Sequence, residues 1–193
     1  MLAGFLVALA LAAIVLVIFG ADNGGTQLAL RVTARWSFLL FWLAYAGGTL
    51  ARLFGGRLDG LARRGREFGL AFASAHLIHV GLVLWLYHIT PGPGSAMVFF
   101  WVGILCTYLL ALFSLPRLRD ALGRPLWRVL RTIALEYIAL AFGFDFILDP
   151  LQRHGKYPWS YLPFAFMLVG GASLRVAEFT RHLINRAIRP VPR

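Results

Sequence analysis

The chain has 193 residues, of which 60% are hydrophobic and 14% are charged. Its mean hydropathy of +0.74 excludes a water-soluble globular domain, because soluble chains are roughly half apolar and a quarter charged. The net charge of +11 would suggest nucleic acid as the partner of a soluble protein. Here the basic residues lie between apolar runs, so no nucleic-acid partner is expected.

Six apolar segments are long enough to cross a bilayer, which takes about 20 residues of helix. In chain order they are residues 2–20, 36–54, 68–89, 96–115, 132–148 and 158–180. The first is expected to be a retained helix rather than a signal peptide, because no positive charge precedes its apolar run. The connections are too short for a further domain. The sequence therefore predicts an all-α integral membrane protein, a six-helix transmembrane bundle that forms one domain over residues 1–193.

Basic residues alternate from one connection to the next. The connections after the second and fourth segments and the C-terminal end hold fifteen of the 19 Lys and Arg. These fifteen are Arg52, Arg57, Arg63, Arg64, Arg66, Arg117, Arg119, Arg124, Arg128, Arg131, Arg175, Arg181, Arg186, Arg189 and Arg193. The other connections hold Arg31, Arg35, Arg153 and Lys156. By the positive-inside rule, this alternation predicts an inner (plasma) membrane protein of bacterial type with both termini cytoplasmic. Attraction of the basic residues to anionic lipid of the bilayer is a secondary expectation.

Histidines are the unusual side chains of the third segment. His76 and His79 share one helical face, whereas His88 lies nearly opposite His79 and close to the outer end. An imidazole at membrane depth is a functional candidate by default. His79 could bind haem iron or form a hydrogen bond to a neighbouring helix, and its position leaves both possibilities open. The single cysteine, Cys106, excludes an internal disulfide and a cysteine-based metal site.

Charged residues also occur within the fifth segment. Asp145 and Asp149 are one helical turn apart and are expected to face the same way. Glu136 is within one or two turns of Arg131 and is able to pair with it. A packing network of these carboxylates with Arg128, Arg131 or a tyrosine is the favoured interpretation. A proton pathway is the alternative, but Glu136 and Asp145 lie on opposite faces.

Two runs of the sequence resemble a known family. The first is Arg63-Arg64-Gly65-Arg66-Glu67-Phe68-Gly69-Leu70, followed by His79; the second runs from Leu122-Gly123-Arg124-Pro125-Leu126-Trp127 to Leu140. Both resemble the ferric-reductase-like transmembrane domain family, in particular its bacterial branch that includes the haem-binding membrane subunit of the methionine sulfoxide reductase system. The resemblance implies a six-helix electron-transfer bundle with b-type haem, in which His79 is the third-helix ligand and His76 is the other candidate.

The chain departs from the family pattern in its fifth segment. Arg131 and Phe144 stand where the family has histidines, so a haem held by two histidines of the third and fifth helices is not expected. One haem could still be bound by His79 or His76, with Met167, an open site or a partner protein on its other side.

Two hypotheses follow from the sequence. In the first, the protein carries one b-type haem and transfers electrons across the membrane. It would need a separate redox partner, because no strand-linked G-x-G-x-x-G motif predicts a flavin or NAD site. In the second, it is a haem-free integral subunit or assembly factor of a larger membrane complex. Whether it is an enzyme component depends on which of the two applies.

Overall fold

The computed structural model describes residues 1–90, 95–154 and 159–188, and within these residues it is helical, with no strand. The described residues form nine α-helices, in chain order α1 Leu2–Phe19, α2 Asn23–Phe54, α3 Asp59–Arg63, α4 Gly65–Ile89, α5 Ser95–Phe113, α6 Pro116–Leu122, α7 Arg124–Gly143, α8 Asp149–His154 and α9 Leu162–Ile188. A π-helical turn, Phe144–Leu148, joins α7 to α8. A short 3-10 turn, Trp159–Tyr161, precedes α9.

Four helical stretches of the described chain are long and apolar enough to cross a membrane: Leu2–Phe19, Asn23–Phe54, Gly65–Ile89 and Trp159–Asn185. A fifth is obtained if α5 and α6 count as one span that is bent by 103°. Because Pro116 begins α6 and prolines disfavour helix in the residue before them, the chain breaks between these two helices. The described part of the protein is therefore helical and contains four to five candidate membrane spans.

Two predicted boundaries are wrong. The helix predicted to begin at residue 36 begins at Asn23, because Asp22 caps it by accepting a hydrogen bond from the Gly25 backbone N–H at 2.9 Å. Arg31 and Arg35 consequently lie on α2 and not in a connection. Likewise, α7 begins at Arg124, so that Arg128 and Arg131 lie on a helix.

The predicted fifth span, residues 132–148, does not appear as a separate apolar helix. It is divided between the second half of α7 and the π-helical turn. The first half of α7 carries three arginines, Arg124, Arg128 and Arg131.

Aromatic rings from α2, α4, α7 and α9 form the core. The Phe38 ring lies at the centre, with its centroid 5.2 Å from that of Phe142, 5.1 Å from Phe146 and 5.8 Å from Phe164. These pairs are edge-on, which is a favourable geometry for aromatic rings. Phe38 is completely buried, so the core fixes the position of α2 relative to α7 and α9.

Polar contacts identify which helix ends lie together. At one end, Asn23 at the start of α2 donates from Nδ2 to Oγ1 of Thr90 after α4, at 3.2 Å. At the other end, Arg52 near the end of α2 forms an ion pair with Glu178 of α9. Thus α2 runs antiparallel to α4, and the late part of α9 lies beside the end of α2. We call these the Asn23 end and the Arg52 end.

The outer surface of the helices is largely apolar. Val17 is 85% exposed, Trp159 84% and Phe166 70%. Soluble monomers rarely expose such extensive apolar surface, whereas lipid covers it without cost. This surface agrees with a multi-pass membrane protein.

Candidate functional site

The two histidines of α4 lie side by side, as their spacing predicts. The ring centroids of His76 and His79 are 5.4 Å apart and the rings are nearly parallel, with 15° between their planes. His88 is exposed and packs against Trp85, with 5.9 Å between ring centroids. The predicted shared face of His76 and His79, with His88 elsewhere, is confirmed.

A hydrogen bond to α2 orients the His79 ring. Thr33 Oγ1 lies 3.2 Å from Nδ1 of His79, and the Thr33 hydroxyl donates its proton to the Ala29 carbonyl oxygen at 2.9 Å. With its proton directed to the helix backbone, Thr33 Oγ1 is placed to accept from a protonated Nδ1 of His79. The tautomer with Nδ1 protonated leaves the lone pair on Nε2. This is the arrangement in which proteins present a histidine to a metal.

His79 lines a cavity of about 620 Å³ at the Asn23 end of the bundle. Volumes of roughly 300–1,000 Å³ are usual for cofactor and small-molecule sites. Apolar side chains form part of the wall, and charged groups surround the remainder: Arg31, Arg35, Asp145 and Asp149. The cavity therefore brings a histidine, two arginines and two carboxylates to one space.

His76 does not line this cavity. Its ring lies between His79 and Phe72, whose ring centroid is 5.4 Å away, and its buried Nδ1 has no hydrogen-bond partner among the described residues. Because the two imidazoles stack on the same side of α4, they cannot ligate one metal from opposite sides. Of the two predicted ligand candidates, the cavity favours His79.

The π-helical turn positions the carboxylates of the cavity. Asp145 lies within the turn Phe144–Leu148, and Asp149 begins α8. Both line the cavity of His79, which confirms that they face the same way. π-Helical turns occur frequently at functional sites.

Sequence reasoning missed the contribution of Arg35. Its NH2 group donates to Oγ of Ser160 at 3.2 Å, and its guanidinium carbon lies 5.1 Å from the Tyr161 ring centroid and 5.6 Å from that of Phe164. Its buried Nε has no partner among the described residues. The Nε–H of Arg35 is therefore a hydrogen-bond donor at the cavity, from which an anionic group could accept.

Glu136 belongs to a different cluster at the Arg52 end. Its carboxylate accepts from the Tyr45 hydroxyl at 2.8 Å and pairs with Arg175 at 2.8 Å. The Arg175 guanidinium also lies 4.4 Å from the Tyr45 ring centroid. A network with a tyrosine is confirmed, but the predicted pairing with Arg131 is wrong, because α9 places Arg175 against Glu136. Glu136 and Arg175 are 39 residues apart in the sequence, so no local pattern predicts their contact.

Met167 is not among the residues that line the cavity of His79. Its side chain packs against the aromatic core, and its carbonyl oxygen accepts from Nε1 of Trp42 at 2.6 Å. The structure therefore does not place Met167 as the partner ligand that the sequence suggested.

The two fifth-helix positions at which the family has histidines also lie away from His79. Arg131 lines a second cavity at the Arg52 end. Phe144 is 42% exposed and its ring packs against Phe99, with 5.0 Å between centroids. Comparison of the chain with family models, with curated proteins and with solved structures gave no match.

Proposed function

We propose that the chain is a six-pass membrane protein of the bacterial inner membrane that binds one b-type haem through His79 and transfers electrons between separate partners. The observation that carries this proposal is the setting of His79. Its Nδ1 lies 3.2 Å from the Thr33 hydroxyl oxygen, and the imidazole lines a cavity of about 620 Å³. Both features are those of an iron-ligating histidine.

The residues around the cavity fit a haem in two further respects. Val83, Leu86 and Phe146 provide apolar wall for a macrocycle. Arg31 and Arg35 provide cations for its two carboxylates, and the unpartnered Nε of Arg35 is a donor that such a carboxylate would satisfy. A bound haem would supply one-electron chemistry, while these side chains hold it, orient it and limit the access of water.

The cavity supports ligation by a single protein group. His79 is the only imidazole among the lining residues that the structure describes, and Phe146, Asp145 and Asp149 come from the π-helical turn and α8. His79 would therefore be the histidine that holds the haem iron. A site with one histidine would admit exogenous ligands more readily than a site with two.

The six-pass arrangement would use α1, α2, α4, α5–α6, α7 with the π-helical turn, and α9 as its spans. Of the arginines assigned to the cytoplasm, Arg131 and Arg175 line the cavity at the Arg52 end, and Arg52 donates to Glu178 there. Arg31 and Arg35 lie toward the Asn23 end. The side chains of Arg153 and Lys156 lie outside the described residues.

A second candidate function, a haem-free subunit of a larger membrane complex, is favoured by one surface. Gly170, Ser173 and Ala177 form an exposed stripe of small residues on α9, and a Cβ added at Gly170 would meet no atom within 4 Å. Small residues allow close approach of transmembrane helices. This stripe gives a partner subunit a place to pack, whether or not haem is present.

Absorbance spectra of the purified protein in detergent, oxidised and then reduced with dithionite, separate the two candidates. We expect a reduced haem α-band that His79→Ala abolishes. The matched control His88→Ala changes an exposed histidine of the same helix and should retain the band.

A colourless wild-type protein would contradict haem binding and favour the haem-free subunit. A band that persists in His79→Ala would contradict the ligand assignment. If His79→Ala fails to fold, His79→Gly with imidazole added to the medium replaces it, and the expected result is recovery of the band.

A further inference from the structure

A cavity of about 820 Å³ lies between α6, α7 and α9 at the Arg52 end. It is separate from the cavity of His79 and shares no lining residue with it. The charged groups on its wall are Arg119, Asp120, Arg124, Arg128, Arg131 and Arg175. Five cations and one carboxylate face this space.

Most of this positive charge is not neutralised by the protein. Arg119 pairs with Asp120 at 3.4 Å, and Arg175 pairs with Glu136. Within the described part of the chain, Arg124, Arg128 and Arg131 have no carboxylate within 4.0 Å. Clustered guanidinium groups repel one another unless an anion lies among them.

These three arginines lie on the face of α7 that lines the cavity, and all three are exposed residues. They recur at the helical spacing of the buried residues Leu135, Ile138 and Phe142 on the same helix. On the opposite face, large apolar side chains are exposed: Leu126 by 54%, Val129 by 53% and Ile133 by 63%. The first half of α7 is thus polar toward the bundle and apolar outward.

Another cavity at this end is also lined by arginines and serves for comparison. Arg57, Arg63 and Arg64 of the connection before α4 line this cavity of about 540 Å³ together with Glu67. The cavity between α6, α7 and α9 gathers five arginines and one carboxylate, and this larger excess of positive charge indicates a site for an anion there.

We infer that this cavity binds a phosphate group at the cytoplasmic surface of the membrane. Guanidinium groups present paired N–H donors that match phosphate oxygens, and three unpaired arginines can surround one phosphate. Basic pockets between helices at the cytoplasmic face are a known way to hold acidic headgroups. The phosphate could belong to an acidic phospholipid or to a free phosphate compound, and the chemistry of recognition is the same.

The test uses the full-length protein and three arginine-to-glutamine substitutions made together, at Arg124, Arg128 and Arg131. The matched control replaces Arg57, Arg63 and Arg64 with glutamine, which removes the same charge from the same end of the molecule. Each protein is titrated with phosphatidylglycerol or phosphatidylcholine in mixed micelles, and separately with inorganic phosphate. Thermal unfolding and native mass spectrometry report binding.

We expect the wild type to bind phosphatidylglycerol more tightly than phosphatidylcholine. The cavity variant should lose about tenfold or more of this affinity, since each charged hydrogen bond contributes strongly, and the control variant should lose less than about twofold, as removal of solvated charges costs little. Stabilisation by inorganic phosphate with the same arginine dependence, without lipid preference, would support the site and identify a free phosphate compound as its source.

Equal losses in the cavity variant and the control would overturn the inference, since general attraction of charge would then explain binding. Absence of binding by both probes to the wild type would also overturn it. If the triple variant does not fold, Arg128→Gln with Arg63→Gln as its control gives the same comparison.

Discussion

At the residue scale, several polar side chains of the helices have specific partners. Thr33 fixes His79, Glu136 joins Tyr45 to Arg175, and the hydroxyl of Thr49 donates to Glu178 at 2.8 Å. An unsatisfied polar group costs several kcal/mol in an apolar medium, about as much as a large core substitution. The exceptions among the described residues are four buried atoms without a hydrogen-bond partner: Nε of Arg35, Oγ of Ser37, Nδ1 of His76 and the hydroxyl oxygen of Tyr108.

Thr33→Val tests the orientation of His79. The substitution removes the oxygen that accepts from Nδ1–H while nearly preserving side-chain shape. We expect haem affinity to fall by roughly 10- to 100-fold, as for other groups that orient a metal-bound histidine. The ratio of haem to protein absorbance during haem titration measures this effect.

Thr107→Val provides the control for that substitution. Thr107 is also buried and its hydroxyl donates to a helix carbonyl, that of Gly103 at 2.9 Å, but no histidine depends on it. Its haem affinity should match that of the wild type. If both variants behave alike, Thr33 has no specific role at His79.

The sequence predicted part of the site. Helical spacing alone predicts that His76 and His79 share a face of α4, and that Asp145 and Asp149 share a face of their own segment. Each pair is close in sequence, so no contact between distant helices is needed to predict it. The approach of Thr33 to His79, or of Arg175 to Glu136, depends on packing between helices distant along the chain. No local pattern encodes such a contact, so these partners could not be predicted.

At the element scale, α2 is the helix around which the others are arranged. It is 32 residues long, and it contacts α1, α4 and α9. Its early start at Asn23 was missed because Asn23-Gly24-Gly25 has the composition of a turn, whereas the cap provided by Asp22 makes it the first turn of a helix. Its end at Phe54 was predicted correctly, because two glycines follow it in the sequence. In the structure, Gly55 and Gly56 adopt positive φ values of 59° and 56°, which stop the helix.

The contact of α2 with α9 depends on a glycine. A Cβ at Gly171 would lie 2.9 Å from Nε1 of Trp42 and 3.5 Å from Cβ of Ala46. Gly171→Ala should therefore displace the Trp42 ring, weaken its hydrogen bond to Met167 and lower stability by about 1–3 kcal/mol. Thermal unfolding in detergent measures this as a lower apparent Tm.

The adjacent Gly170 is the matched control. A Cβ there meets nothing within 4 Å, and alanine favours helix over glycine by up to about 1 kcal/mol. Gly170→Ala should leave the apparent Tm unchanged or raise it. A Gly171→Ala variant that is as stable as Gly170→Ala would contradict the close packing of α2 and α9.

At the scale of the whole molecule, the two cavities lie at opposite ends of the bundle. The cavity of His79 is at the Asn23 end, and the arginine-lined cavity is at the Arg52 end. The positive-inside rule assigns the arginine-rich end to the cytoplasm. The proposed haem would then lie toward the outer surface and the proposed phosphate site at the inner one, so both proposals depend on the same orientation of the chain.

Cysteine labelling in intact and permeabilised cells tests this orientation most directly. Cys106 is first replaced by serine, since it is the single cysteine of the chain. Asn23→Cys and Arg57→Cys then place one thiol at each end. A membrane-impermeant maleimide should label Asn23→Cys in intact cells, and Arg57→Cys only after permeabilisation. Labelling of both thiols from the same side, or of Arg57→Cys alone in intact cells, would contradict the proposed arrangement of the protein in the membrane.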